Sequence, residues 1–153
     1  GIPGQNRGGR RIAGYRRALL DYGIPSDELL VMYGYHFEET GYAGMNRLLD
    51  LPPDLRPTGV AAVNNLTCIG CIRALEERGL HAGRDISLAG FDDHLLARYS
   101  TPGITVIDRP TLGMGKKGAE LLLKLLRGEP VEKRNIMEIS LIERESILPV
   151  EKQ

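Results

Sequence analysis

Two carboxylates stand side by side at the end of an apolar run, Ile86-Ser87-Leu88-Ala89-Gly90-Phe91-Asp92-Asp93. Such a pair can act as general acid and base, but catalysis needs a nucleophile or metal arranged around it, and none is evident nearby. Asp92 can instead accept charge-assisted hydrogen bonds from ligand hydroxyl or N–H groups, which add direction as well as strength. Cys68-Ile69-Gly70-Cys71 has C-x-x-C spacing after a strand, where the start of a helix stabilises a thiolate. No second cysteine pair exists, and His36, His81 and His94 show no metal-ligand spacing. Two small apolar residues on a helix packed against a sheet account for the pair, and no metal or cofactor is expected. The glycine-rich opening GIPGQNRGGRR, a turn running into a helix, could present N–H groups to an anion. It lacks both the Gly-Lys-Ser/Thr ending of a phosphate loop and the spacing of a dinucleotide fingerprint. Its arginines either face solvent or, as Arg7 or Arg11, reach into a crevice.

Strands and helices must alternate to hold these groups. Ile12, Tyr15, Leu19 and Tyr22 recur at helical spacing, and Gly23 ends that helix where left-handed geometry is wanted. Leu29–Tyr33 reads as a buried strand and 38–50 as a helix stopped by Pro52-Pro53. Gly59–Val63 reads as a strand, Asn64-Asn65 as turn and cap, and 66–78 as a helix with Ile69, Ile72 and Leu75 inward. The run at 86–91 is the next strand. A polar loop through Tyr99-Ser100-Thr101-Pro102, a strand at Ile104–Ile107 and a helix over 111–127 follow, then two short strands near Ile136–Leu141 and Glu143–Ile147. This alternation predicts a three-layer α/β/α arrangement on a mostly parallel sheet with right-handed crossovers. In such sheets ligands sit outside the carboxyl ends of the strands, which is where Asp92 and Asp93 fall.

The chain has 153 residues, enough for one domain with a real core. Its 20 basic and 20 acidic residues cancel, so no global field draws it to nucleic acid or to a membrane. No apolar run reaches the roughly 18–20 residues of a membrane span. Two cysteines do not make a disulfide framework, which points to a reducing, cytoplasmic setting.

The residues accumulate into a recognisable pattern. Arg11-Ile12-Ala13-Gly14-Tyr15, Gly41-Tyr42, Asn64-Asn65, Arg73-Ala74-Leu75, then Asp85-Ile86-Ser87-Leu88-Ala89-Gly90-Phe91-Asp92-Asp93, Tyr99, Pro102, Ile104-Thr105-Val106 and Leu141-Ile142-Glu143-Arg144-Glu145-Ser146 occur in this order. Over nearly its whole length the chain resembles the effector-binding module of LacI/GalR-family bacterial transcriptional regulators. The resemblance implies a periplasmic-binding-protein-like module whose two lobes hold a sugar or nucleobase. It implies that 1–108 and 136–153 belong to the second lobe, that 109–135 crosses to the first lobe, and that the helix-turn-helix DNA-binding domain is absent from this chain.

By resemblance, Arg11, Asp92 and Asn64 are ligand contacts. His36 stands where relatives carry an aromatic that stacks on the ligand, with Tyr35 and Phe37 beside it. Arg109 stands where a glutamine is common, and Asn65 replaces the usual aspartate of an Asn-Asp pair. These two changes make the site less acidic and open it to an anionic sugar derivative. The expected role is a cytoplasmic, homodimeric sensor of a small polar effector, reaching DNA only through the missing domain. A transporter's sugar-binding protein shares the fold and is the alternative; an enzyme is not expected. Helix 111–127, parted from its native bed, is expected to pack on a neighbouring chain or to fold back over the sheet.

Overall fold

The computed structural model describes residues 6–149, with side chains from 9 to 149. The first five residues of the glycine-rich opening and the Arg7 side chain lie outside this range. Helix α1 spans Asn6–Asp21, α2 Glu38–Leu49, α3 Asn65–Glu77, α4 Leu95–Tyr99 and α5 Thr111–Leu126. Strands β1 (Gly59–Ala61), β2 (Ser87–Phe91), β3 (Thr105–Asp108) and β4 (Ser140–Ile142) form one sheet in the order β1-β2-β3-β4. The first three are parallel, with Val60 opposite Leu88 and Gly90 opposite Val106; β4 is antiparallel to β3. The expected α/β class with a mostly parallel sheet is what the chain forms.

The core lies between the sheet and the α2–α3 layer. Leu88, Ile104 and Val106 are fully buried there with Met45, Ala74 and Leu75. Alternation along β2 turns Leu88 and Gly90 inward. A Cβ on Gly90 would stand 3.1 Å from the Cys68 sulfur, so the helix rides close on the strand. Helices α2 and α3 touch backbone to backbone: a Cβ on Gly41 would lie 2.0 Å from the Thr67 carbonyl oxygen, and one on Gly70 2.0 Å from that of Glu38. Ser146 ties the far end together. Its hydroxyl donates to the Leu88 carbonyl at 2.6 Å and accepts from the Thr105 N–H at 2.8 Å, linking two parallel strands through the C-terminal segment.

Three sequence expectations need correction. Leu29–Tyr33 is not a strand: Glu28–Leu30 make one 3-10 turn, and the extended residues after it join no ladder. A strand needs a partner, and β1 pairs only with β2, leaving a gap between its other edge and Met32-Tyr35 that is also lined by Met45 and Leu48. Near the C-terminus a single strand, Ser140–Ile142, replaces the two expected, because Arg144 and Ser146 spend their polar groups bridging β2 and β3. Within the chain, α5 does not fold back over the sheet. None of its residues is buried, and Leu112, Leu122 and Leu126 are 73%, 57% and 75% exposed.

Candidate ligand-binding site

The site is built at the carboxyl ends of β2 and β3. Leaving β2, Asp92 takes a left-handed φ of 68°, which aspartate tolerates better than most residues. Two bonds fix the turn: the Asp92 N–H donates to the Ile107 carbonyl, and the His94 N–H to the Asp92 carbonyl, both at 2.8 Å. The two neighbouring carboxylates are thereby sent to different tasks.

Asp93 turns into the protein. Its side chain is 8% exposed and accepts from Arg144 at 2.6 Å and Arg98 at 2.7 Å, while its N–H donates to the Asp108 carboxylate. Arg144 also donates to the Ile104 carbonyl. This network clamps the β2 tip to α4, β3 and the C-terminal segment. Asp92 stays at the surface of the crevice, where Arg109 grips it: Nε donates to one carboxylate oxygen and Nη2 to the other, each at 2.6 Å. The carboxylate raises the Arg109 pKa further above its ordinary value, mainly through these bonds.

Phe91 makes the floor. The Arg109 guanidinium carbon is 5.4 Å from its ring centroid, and Arg11, reaching over from α1, is 4.9 Å from the same centroid. Arg11 and Asp92 therefore share one neighbourhood. The hollow that Phe91 and Asp92 line extends under α3 and α4, past Asn65, Ile69 and His94, and does not include Arg11. Among the described residues Arg11 has no carboxylate partner, so its charge is left for something else.

His36 and Asn64 complete the rim. The Asn64 side chain caps α3, its Oδ1 accepting from the Thr67 N–H at 3.0 Å, while Thr67 Oγ1 in turn accepts from the Asn64 N–H. Its Nδ2 donates to the His36 carbonyl at 3.1 Å, pinning the loop that carries His36. His36 is exposed, and partial desolvation, then nearby positive charge that includes Arg11, lowers its pKa below the ordinary imidazole value. Phe37 is spent elsewhere: its ring stacks on Tyr35 at 6.0 Å between centroids.

The thiols are not part of this chemistry. Cys68 and Cys71 are buried, and burial pushes their pKa values up to about 11 and about 12, the reverse of an activated thiolate. Among the described residues no three His, Cys, Asp or Glu side chains converge as a metal site would require, and no helix is long and apolar enough to cross a membrane. Sequence reasoning missed two groups. Phe91 looked like one more strand residue, although its place just before the two aspartates marks the sheet's ligand edge. Asp93 carries no role of its own in the sequence reading, and its bonds to Arg98 and the distant Arg144 give it one in holding the β2 tip.

An open α/β sheet whose strand tips carry a carboxylate, two guanidinium groups and an aromatic floor is the architecture of a small-molecule receptor. Residues 2–147 match the model of the periplasmic-binding-protein-like domain. The chain belongs to that family, in its LacI/GalR branch. It is 37% identical over 140 residues to the HTH-type transcriptional regulator CelR of Thermobifida fusca, covering 91% of this chain and 41% of that protein. It is 35% identical to the HTH-type transcriptional repressor PurR of Erwinia tasmaniensis over 95% of this chain and 43% of the relative. Among solved structures, a LacI-family regulatory protein from Chloroflexus aggregans superposes with a TM-score of 0.85 at 34% identity, over 95% of this chain and 52% of the other. A CelR–cellobiose complex superposes with a TM-score of 0.82 at 36% identity, over 95% and 45%. The chain thus spans less than half the length of these two curated relatives.

Proposed function

We propose that this chain is part of the ligand-sensing module of a LacI-type regulator, which binds a sugar or sugar derivative, neutral or anionic, and alters DNA binding by a helix-turn-helix domain outside it. The reading is carried by the convergence of Arg11, Asp92 and Arg109 on Phe91 at the carboxyl edge of a parallel sheet. Solved relatives of this fold include one complexed with cellobiose and one with bound ribose. Their regulator identity favours this role over a transporter's binding protein and over an enzyme.

In this reading 1–108 and 136–153 are one lobe and 109–135 crosses to the other, which supplies the bed for the apolar stripe of α5. Ligand is enclosed between the lobes, and water exclusion comes from both. Effector shifts the module only by binding its closed form better than its open one. A homodimer in the cytoplasm passes that shift to two DNA-binding heads.

Titration calorimetry of the intact protein against a panel of mono- and disaccharides and their acids tests this. At least one member is expected to bind and to change operator affinity in a gel-shift assay. Binding unchanged by Arg11→Ala would remove Arg11, and with it the convergence the reading depends on.

A further inference from the structure

The bonds between Asp92 and Arg109 use only one edge of the guanidinium. Nε and Nη2 are engaged at 2.6 Å each, whereas Nη1 donates to nothing among the described residues. The Arg109 side chain is 39% exposed and that of Asp92 24%, so the guanidinium-bearing side chain is the more accessible partner. Each Asp92 oxygen already accepts a charge-assisted bond, and its charge is answered. A hydroxyl arriving there finds one remaining lone pair on each oxygen, on a carboxylate whose charge the guanidinium already offsets. A guanidinium held on one side by a carboxylate is fixed in orientation, and its other edge is a two-donor fork shaped for an oxyanion.

Among the surrounding charges, Asp108 at the end of β3 accepts the Asp93 N–H and also acts on Arg109, while Asp93 is taken by Arg98 and Arg144. Arg11, on the same aromatic ring as Arg109, has no carboxylate partner among the described residues.

We propose that Arg109 is the specificity-determining residue of this site, presenting its free edge to a carboxylate or phosphate on the effector, while Asp92 is a positioning residue that orients it. This rests on the sensor reading above and reassigns the roles within it. The effector class is then a sugar acid or a sugar phosphate, with Arg11 as the second cation near the anionic group.

The test is calorimetric titration of the intact protein with glucose, glucuronate, glucose 6-phosphate, cellobiose and inorganic phosphate, for the wild type, Arg109→Gln, Arg109→Lys and Asp92→Asn. The wild type is expected to bind glucuronate or glucose 6-phosphate about 10-fold or more tighter than glucose, since a bidentate charge-assisted contact is at stake. Which of the two binds tells carboxylate from phosphate, and inorganic phosphate alone binding as well reports a site that needs no sugar. Arg109→Gln is expected to erase the preference and Arg109→Lys to weaken it, since an ammonium keeps the charge but not the fork. Asp92→Asn is expected to weaken the anionic ligand, because the guanidinium loses the carboxylate that orients it. Tight binding of glucose or cellobiose by the wild type, lost in Asp92→Asn and indifferent to Arg109→Gln, overturns the proposal and leaves the sensor reading standing. No binding by any member of the panel to folded wild type counts against both.

Discussion

The Asp93 carboxylate accepts from Arg144 at 2.6 Å across 51 residues of sequence, with side-chain exposures of 8% and 17%. Removing one partner of such a buried pair leaves the other charge uncompensated, which typically costs about 3–5 kcal/mol. Asp93→Ala is therefore expected to lower the stability of the chain by that order in urea unfolding. Asp92→Asn, one residue earlier, should cost about 1 kcal/mol or less, because its pair with Arg109 is partly solvated. Asparagine also tolerates the left-handed backbone that Asp92 adopts. Equal losses for the two variants would mean that the carboxylates do not divide structure and binding between them.

The α2–α3 crossing depends on two missing side chains. Gly41→Ala or Gly70→Ala places a methyl carbon 2.0 Å from a backbone carbonyl oxygen of the facing helix, and backbone on both sides leaves no flexible end to move aside. Each is expected to cost at least about 2–3 kcal/mol through forced separation of the helices. Gly118→Ala in α5, where nothing lies within 4 Å, should be neutral or slightly favourable, as alanine is the better helix former. Thermal unfolding of the three variants decides it. A Gly70→Ala protein as stable as Gly118→Ala would refute the crossing.

The thiols give a pH signature. Burial raises Cys68 and Cys71 to about 11 and about 12 in the folded chain, against an ordinary value of 9.0. Unfolded thiols begin to release protons near pH 9 while the folded ones retain theirs. Protonation there favours the native state, so stability from this source is complete below pH 9 and drains away as pH rises towards 11 and beyond. The loss approaches roughly 1.4 kcal/mol per pH unit for each thiol at its steepest. Urea unfolding from pH 8 to 10.5 is expected to show a steeper alkaline decline for the wild type than for Cys68→Ala/Cys71→Ala. In the native protein at pH 8, both thiols should react with Ellman's reagent far more slowly than after denaturation.

Much of this architecture was legible where the information is local. Asn64 ahead of a helical apolar stripe gave the start of α3, and the run from Ile86 to Phe91 gave β2 and the ligand edge it ends on. Legibility failed where a residue's fate is set by a partner far away in sequence. Leu29–Tyr33 has the composition of a strand but no neighbour to pair with. Asn64 reads as a cap and, by resemblance, as a ligand contact; its link to the His36 carbonyl, 28 residues away, is not visible in the sequence. The division of labour between Asp92 and Asp93 depends on Arg109 and Arg144, 17 and 51 residues downstream, and no local rule carries that.

Helix α5 leaves a row of leucines without cover. Leu112, Leu122, Leu123 and Leu126 are each more than half exposed, and no other element packs against the helix closely enough to bury any of its residues. A leucine taken out of water contributes about 1.5–3 kcal/mol, so the four on each of two facing helices can together offset an association cost of roughly 4–15 kcal/mol. The isolated 153-residue chain is therefore expected to self-associate in sedimentation velocity as its concentration is raised towards about 100 μM, a regime typical of weak apolar contacts. Leu122→Glu/Leu126→Glu should keep it monomeric. Because α5 gives nothing to the core between α2, α3 and the sheet, the same variant should unfold at the wild-type urea midpoint. If the wild type stays monomeric throughout, the stripe has no affinity for a second copy. If the variant unfolds at lower urea, α5 supports the core in a way its exposed side chains do not show.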